Sequence, residues 1–309
     1  MLRVNDQERS AAPPRVGVVG LGAMGLGMAR SLRNAGYDVG VHDLRPDVAA
    51  DFAREGGTAF ATAGELAATV DVMVGVVVNS AQIEQVLFGP DGAAERLRPG
   101  AVFVMCSTVD PAWSAELALR LAPLDVLYLD APVSGGAVRA AAGELTMMTS
   151  GAPEAYALAG PVLDAMSATV HRLGDGAGLG SKVKVVNQLL AGVHIAAAAE
   201  AMALGITAGV PADTLYEVIT HSAGNSWMFE NRMAHVLAGD YTPLSAVDIF
   251  VKDLGIVLDS ARPERFPLPL AATAHQMFLQ AAASGLGGED DSAVIKIFPG
   301  IDLPKPEDG

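Results

Sequence analysis

The stretch from Arg15 to Gly25 constrains this chain more than any other. It reads Arg-Val-Gly-Val-Val-Gly-Leu-Gly-Ala-Met-Gly, an apolar run that gives way to glycines at 20, 22 and 25. Val16 to Val19 has the unbroken apolar character of a strand buried on both faces, and Leu26 to Leu32 continues as a helix. Between a strand and a helix, glycines at the G-x-G-x-x-G spacing have separate uses. Gly20 permits the tight turn, Gly22 lets a pyrophosphate approach the backbone, and Gly25 lets helix and strand pack closely. Phosphates then sit at the helix N-terminus, where free N–H groups and the macrodipole favour negative charge. A second apolar strand, Asp38 to His42, ends in Asp43, which is placed to accept hydrogen bonds from an adenosine ribose. A dinucleotide site is therefore expected at Gly20, Leu21, Gly22, Ala23, Met24, Gly25, Asp43 and Leu44, with NAD as the cofactor. Arg45 pulls the other way, because an arginine there is able to serve a 2′-phosphate.

From Arg15 to about Leu173 short apolar strands alternate with helices, the pattern of a doubly wound parallel sheet. Asp71 to Val78 and Ala101 to Met105 read as strands, and Leu145 to Thr149 and Thr169 to Leu173 as two more. Asp110-Pro111 reads as an N-cap followed by proline at the first helical position. Ligands of such sheets bind beyond the carboxyl ends of the strands, which makes Val78, Asn79, Thr108 and Ser134 site candidates, although each also suits a turn or a helix cap. After a glycine-rich hinge at 174 to 180, a long helix runs from Ser181 to about Ala208, and the rest of the chain is helical. A Rossmann-type α/β sheet followed by an all-α C-terminal domain, joined by a long interdomain helix, is the expected fold. The expected divisions are a flexible tail at 1–14, a dinucleotide domain at 15–177, and the long helix with its helical domain at 178–309. A chain of 309 residues is long enough for two such cores.

Composition removes several functions. The net charge of −15 leaves no basic surplus for a nucleic-acid backbone. The one cysteine, Cys106, lies in an apolar strand pattern and fits a reducing, cytoplasmic compartment as a buried, inert thiol. Residues Met1 to Pro14 lack the apolar segment of a secretory signal, and the longest apolar run, Leu189 to Val210, is interrupted by His194 and Glu200, so no membrane span is expected. The six histidines have no metal-ligand spacing, and no metal is expected.

The start of the long helix carries chemistry. Lys184, Asn187, Gln188 and Ala191 share one face at i, i+3, i+4 and i+7, and Lys182 faces elsewhere. Periodicity alone leaves Lys184 either a solvated helix-start lysine or a buried one, whose pKa would fall toward neutrality and make it a proton shuttle. A second cluster, His221 to Asn231, is polar and aromatic. There Asn225 and Trp227 either line a polar pocket or simply follow the local fold, with Ser226 as N-cap and Trp227 buried. In Asp248-Ile-Phe-Val-Lys252-Asp253, Lys252 either pairs with Asp248 at i,i+4 or reaches the cofactor.

Four segments in order resemble the β-hydroxyacid (3-hydroxyisobutyrate) dehydrogenase family. They are Gly-Leu-Gly-Ala-Met-Gly at 20–25, Asp-Ala-Pro-Val-Ser-Gly-Gly at 130–136, Gly-Leu-Gly-Ser-Lys-Val-Lys-Val-Val-Asn-Gln at 178–188 and Phe-Val-Lys-Asp-Leu at 250–254. The resemblance implies that Lys184 is catalytic and that Ser134, Gly135 and Gly136 bind the substrate carboxylate. It further implies that Thr108 touches the cofactor, Lys252 approaches its nicotinamide end, and Asn187 or Gln188 holds the reacting oxygen. The loop Val-Val-Val-Asn79 departs from the Leu-Pro-x of many relatives. Family members that only bind cofactor lack the lysine, so its presence implies an enzyme. The substrate wall at 221 to 232 is polar, which suits a short sugar acid better than an isobutyrate. The long apolar helix and the helical domain also imply contacts between subunits of a homo-oligomer, a dimer or a tetramer.

Overall fold

The computed structural model describes residues 13–305, and the expected tail lies almost wholly outside them. The chain begins β1 (Val16–Val19), α1 (Gly25–Asn34), β2 (Val39–His42), α2 (Pro46–Arg54), β3 (Thr58–Ala59), α3 (Ala63–Ala67), β4 (Val72–Gly75), α4 (Ser80–Phe88), β5 (Val102–Met105) and α5 (Pro111–Leu121). It continues β6 (Leu127–Asp130), β7 (Val133–Ser134), α6 (Gly136–Ala142), β8 (Leu145–Gly151), α7 (Pro153–Asp164) and β9 (Ser167–Arg172). The helices α8 (Leu179–Thr207), α9 (Ala212–Thr220), α10 (Trp227–Ala238), α11 (Val247–Ala261) and α12 (Pro269–Ala281) follow, with a short 3-10 segment at Asp291–Ile297.

Strands β1 to β6 are parallel in the order β3-β2-β1-β4-β5-β6. Their period of two explains why both faces are covered. Val16, Val18, Val72, Val74, Val102 and Val104 turn to one side, where they meet Met28 and Leu32 of α1 and Val162 of α7. The alternate residues Val19, Met73, Phe103 and Met105 turn to the other, where they meet Leu66 of α3, Ile83 of α4 and Leu117 of α5. The strand order reverses between β1 and β4, and ligands of such sheets lie at that crevice.

Three findings correct the expected sheet. β8 runs antiparallel to β6, so the edge beyond β6 is mixed rather than parallel, with β7 and β9 paired to β8. The segment after β6 contains β7 and α6, two elements absent from the expected sheet and too short for periodicity to reveal. β4 ends at Gly75, three residues early. The N–H of Val76 still bonds to Val19 O, but that of Val77 turns to Ser107 Oγ at 3.0 Å, and the chain leaves the sheet toward the crevice. Asp110 caps α5 as expected, accepting from the N–H groups of Ala112 and Trp113.

Helix α8 joins the two parts of the molecule. By length and apolar composition alone it would suffice to cross a membrane. In the fold it is instead the spine of the helical unit: Ile195, Ala199 and Met202 pack with Phe229 and Met233 of α10, Leu254 of α11 and Phe278 of α12. A buried ion pair, Arg232 Nη2 to Asp291 Oδ2 at 3.0 Å, ties α10 to the 3-10 segment.

The first turn of α8 is seated on the sheet. Asp130, at the carboxyl end of β6, accepts from Ser181 N at 2.8 Å and Ser181 Oγ at 2.7 Å, and Gly180 N donates to Ser150 Oγ at 3.1 Å. These bonds satisfy N–H groups that a helix start leaves without partners. Gly180 has no room for a side chain, because a Cβ there would drive into Met148 O and lie 2.8 Å from Asp130 O. Gly180→Ala is expected to destabilise the protein by about 1–3 kcal/mol. Gly176→Ala, whose Cβ would meet nothing within 4 Å, is expected to leave the denaturant midpoint nearly unchanged.

Candidate active site

The dinucleotide crevice has the shape its residues imply. Gly20 takes a φ of +90°, and a Cβ there would run into Val76 O. Gly25 is pressed so close to Gly20 O that no side chain fits. A Cβ at Gly22 would meet nothing within 4 Å, so the backbone there borders open space. Leu21 is buried, Gly22 and Ala23 are exposed, and Met24 packs partly into the core. The cradle fits a pyrophosphate, which needs bare backbone at the start of α1.

Asp43 stands at the end of β2 and accepts from Leu21 N at 2.6 Å and from Arg45 N at 2.9 Å and Nε at 3.0 Å. Partial burial pushes its pKa up, but the hydrogen bonds from Arg45 and Leu21 outweigh that and hold it below the usual carboxylate range. Arg45 is thus engaged by Asp43. Leu44, 87% exposed, projects beside them as a bare apolar surface. Asn79 Oδ1 caps α4, accepting from Gln82 N at 2.9 Å, so capping, one of the two roles its sequence left open, is its role in the fold.

Lys252 crosses from α11 to the sheet. Its Nζ donates to Val78 O at 2.7 Å and Thr108 O at 3.3 Å, bridging the ends of β4 and β5. It also lies 2.8 Å from Asp253 Oδ1, and no Asp248–Lys252 pair forms among the described residues. Of the two readings of Lys252 the i,i+4 pair is the one that does not form: the Asp248 carboxylate lies beside Gly287, where a Cβ would meet it at 2.7 Å.

Asp253 connects this bridge to Lys184. Its Oδ2 accepts from Gln188 Nε2 at 2.5 Å, and Gln188 Oε1 accepts from Lys184 Nζ at 2.8 Å and Asn187 Nδ2 at 3.0 Å. Lys184, Gln188 and Asp253 are buried, and Asn187 is half-buried. Burial pushes the Lys184 pKa down; Asp253 pulls it back and Lys252 lowers it again, leaving it at about 8. Lys182 is exposed on the other side of α8. Of the two amides, Gln188 spends both ends on the protein. Among the described residues Asn187 Oδ1 has no partner, and Nδ2 keeps one N–H beyond its bond to Gln188.

Ser134 and Gly135 are half-buried and Gly136 exposed, at the turn from β7 into α6. Ser226 caps α10, accepting from Phe229 N at 3.0 Å. Trp227, buried in one of its two alternatives, is half-exposed at the start of that helix. Asn225 Nδ2 donates to Thr220 O at 3.0 Å, while its Oδ1 is buried without a partner among the described residues. Asp253 was not among the expected site residues. Its signal was there: on an otherwise apolar stripe with Phe250, Leu254 and Val257, an acid is out of place unless it is paired.

A phosphate cradle at the start of α1 and a buried lysine whose pKa desolvation lowers to about 8 are the parts of a nicotinamide-dependent hydroxyacid dehydrogenase. The chain belongs to the β-hydroxyacid (3-hydroxyisobutyrate) dehydrogenase family. Residues 15–174 match the NAD binding domain of 6-phosphogluconate dehydrogenase, and residues 178–298 match the NAD-binding family of NADP-dependent 3-hydroxyisobutyrate dehydrogenase. The chain is 63% identical to the L-threonate dehydrogenase of Cupriavidus necator, over 94% of this chain and 97% of that protein. It is 54% identical to the L-threonate dehydrogenase of Escherichia coli K12, over 94% and 96%. A Salmonella typhimurium crystal structure described as 3-hydroxyisobutyrate dehydrogenase superposes with a TM-score of 0.88 at 57% identity, covering 92% of this chain and 99% of that one.

If Gln188 positions Lys184, Gln188→Leu is expected to lower kcat by about tenfold, the cost of leaving buried polar groups without their partner, with NAD affinity unchanged by titration. Asn187→Ala is expected to lower kcat as well as raise KM, because the oxygen it holds changes charge in the transition state.

Proposed function

We propose that this chain is an NAD-dependent L-threonate dehydrogenase, oxidising the C2 hydroxyl of L-threonate to 2-oxo-tetronate (2-dehydro-L-erythronate). The observation that carries the chemistry is Lys184, buried, with a pKa near 8 and an orientation held by Gln188. Bound NAD supplies the hydride acceptor. Neutral Lys184 takes the proton of the C2 hydroxyl, directly or through water. Asn187 holds the reacting oxygen through the second N–H of its Nδ2, the first being given to Gln188 Oε1. Ser134, Gly135 and Gly136 fix the carboxylate and hence the approach of C2. Thr108 and Val78 lie at the cofactor's inner end, where Lys252 links them, and Gly20 to Gly25 with Asp43 and Leu44 hold its outer end.

The choice of L-threonate rests on the named relatives and on the 221 to 232 wall. The unpartnered Asn225 Oδ1 is an acceptor, and a polyol chain brings hydroxyl donors. Oxidation of 3-hydroxyisobutyrate is the second reading, favoured by the description of the Salmonella structure. D-Erythronate oxidation and tartronate semialdehyde reduction remain in the same class. A silent cofactor-binding module is disfavoured by Lys184 itself. We also propose that the chain forms a homo-oligomer through the exposed apolar residues Leu204 of α8 and Val218 of α9, and that it works in the cytoplasm, where its buried free thiol Cys106 stays reduced.

Initial rates of NADH formation with L-threonate, D-threonate, both erythronates and 3-hydroxyisobutyrate test the substrate, and activity confined to 3-hydroxyisobutyrate would overturn it. Lys184→Ala is expected to lower kcat by about 10²–10⁴-fold while NAD still binds. Because the free base is the active form, kcat should fall as pH drops below about 8 and level off above it. Asp43→Ser removes the charge that opposes a 2′-phosphate and releases Arg45, so the kcat/KM ratio is expected to shift toward NADP by at least about tenfold.

A further inference from the structure

Arg139 lies one turn into α6, just after the Ser134-Gly135-Gly136 segment. Its stem folds back over that segment: a Cβ built on Gly135 would meet Arg139 Cδ at 3.0 Å and Arg139 Cβ at 3.1 Å. Its guanidinium carbon lies 5.9 Å from the centre of the Trp227 ring, at the start of α10 in the helical unit. One side chain therefore spans from the glycine segment to the opposite wall. Trp227 is half-exposed and Arg139 exposed, so the contact lies at the mouth rather than in the core.

Arg139 is also uncommitted. Arg30, Arg45, Arg120 and Arg232 all hold carboxylates, yet among the described residues Arg139 has neither an ion pair nor a side-chain hydrogen bond. In a chain of net charge −15, a free guanidinium beside a small-anion site is a local exception. A guanidinium resting on an aromatic face still has its N–H groups in plane, and that planar fork matches a carboxylate. Ser134, Gly135 and Gly136 offer only neutral donors.

We propose that Arg139, held against Trp227, is a specificity-determining residue that presents its N–H fork to the substrate carboxylate and closes the mouth of the cleft between the two units. This rests on the hydroxyacid dehydrogenase reading above. It makes the site selective for an anionic acid over a neutral polyol.

The test is steady-state kinetics of the wild type, Arg139→Gln and Arg139→Lys with NAD and L-threonate, at low and at high salt. Arg139→Gln is expected to raise KM by about tenfold or more, the loss of one charge-assisted pair, with kcat within about twofold because the interaction is the same in ground and transition states. Arg139→Lys, which keeps the charge and loses the fork, should recover part of the loss. The salt dependence of kcat/KM should weaken in Arg139→Gln. Inhibition by the uncharged amide of L-threonate should be the same in wild type and variant. A KM within about twofold of wild type in Arg139→Gln, or a loss confined to kcat, would overturn the proposal, since a merely structural latch would act on kcat or on unfolding. Failure of the underlying reading looks different: the wild type itself would not oxidise L-threonate. The same variants are then measured with the acid that the substrate panel identifies, and the same two outcomes decide.

Discussion

The contact between Asp130 and the first turn of α8 sets the position of Lys184 and of the polar network around it. A carboxylate at a helix N-terminus meets both unpartnered N–H groups and the positive end of the macrodipole. Burial pushes the Asp130 pKa up, and the hydroxyl and N–H of Ser181 pull it part of the way back. Gly180 completes the seat by letting the helix backbone approach the sheet. Because α8 is one continuous helix, that seat also sets the depth of Lys184, one turn further along, and the line on which Asn187 and Gln188 follow.

Depth alone would leave Lys184 a costly buried charge. The network around it makes the arrangement workable. A carboxylate only accepts, so Asp253 requires the NH₂ end of Gln188, and this turns the amide oxygen toward Lys184. Asp253 in turn has Lys252 beside it, which bonds to the backbone at the ends of β4 and β5. Polar groups from α8, α11 and the sheet edge thus form one connected set, with the acid and the two lysines offsetting each other across a low-dielectric site. Desolvation lowers the pKa of Lys184, and the Asp253 charge keeps it from falling further.

The same logic of local charge against a global background recurs at the two ends of the crevice. The chain is strongly acidic overall, with a net charge of −15 that repels anions at long range. Where small anions are expected, the structure supplies bare N–H groups at the start of α1, Lys184 and Lys252 in the interior, and Arg139 at the mouth. Asp43 engages Arg45 at the end of β2, the edge where the proposed NAD ribose would sit.

Much of this was legible in the amino-acid order. The strand–glycine–helix signal, the alternating elements, the long helix and the helices after it follow from local periodicity and turn chemistry, and these act over short stretches of chain. The shared face of Lys184, Asn187 and Gln188 is likewise a matter of helical spacing. Periodicity could not tell whether Lys184 is solvated, because burial depends on Asp130, 54 positions away, and on what α11 brings against it. Neither the antiparallel turn of β8, nor the choice of Lys252 between Asp248 and Asp253, nor the partner of Gln188, nor the reach of Arg139 to Trp227 could be read from spacing. All are contacts between segments distant in sequence, and only the packing of the helical unit on the carboxyl edge of the sheet decides them.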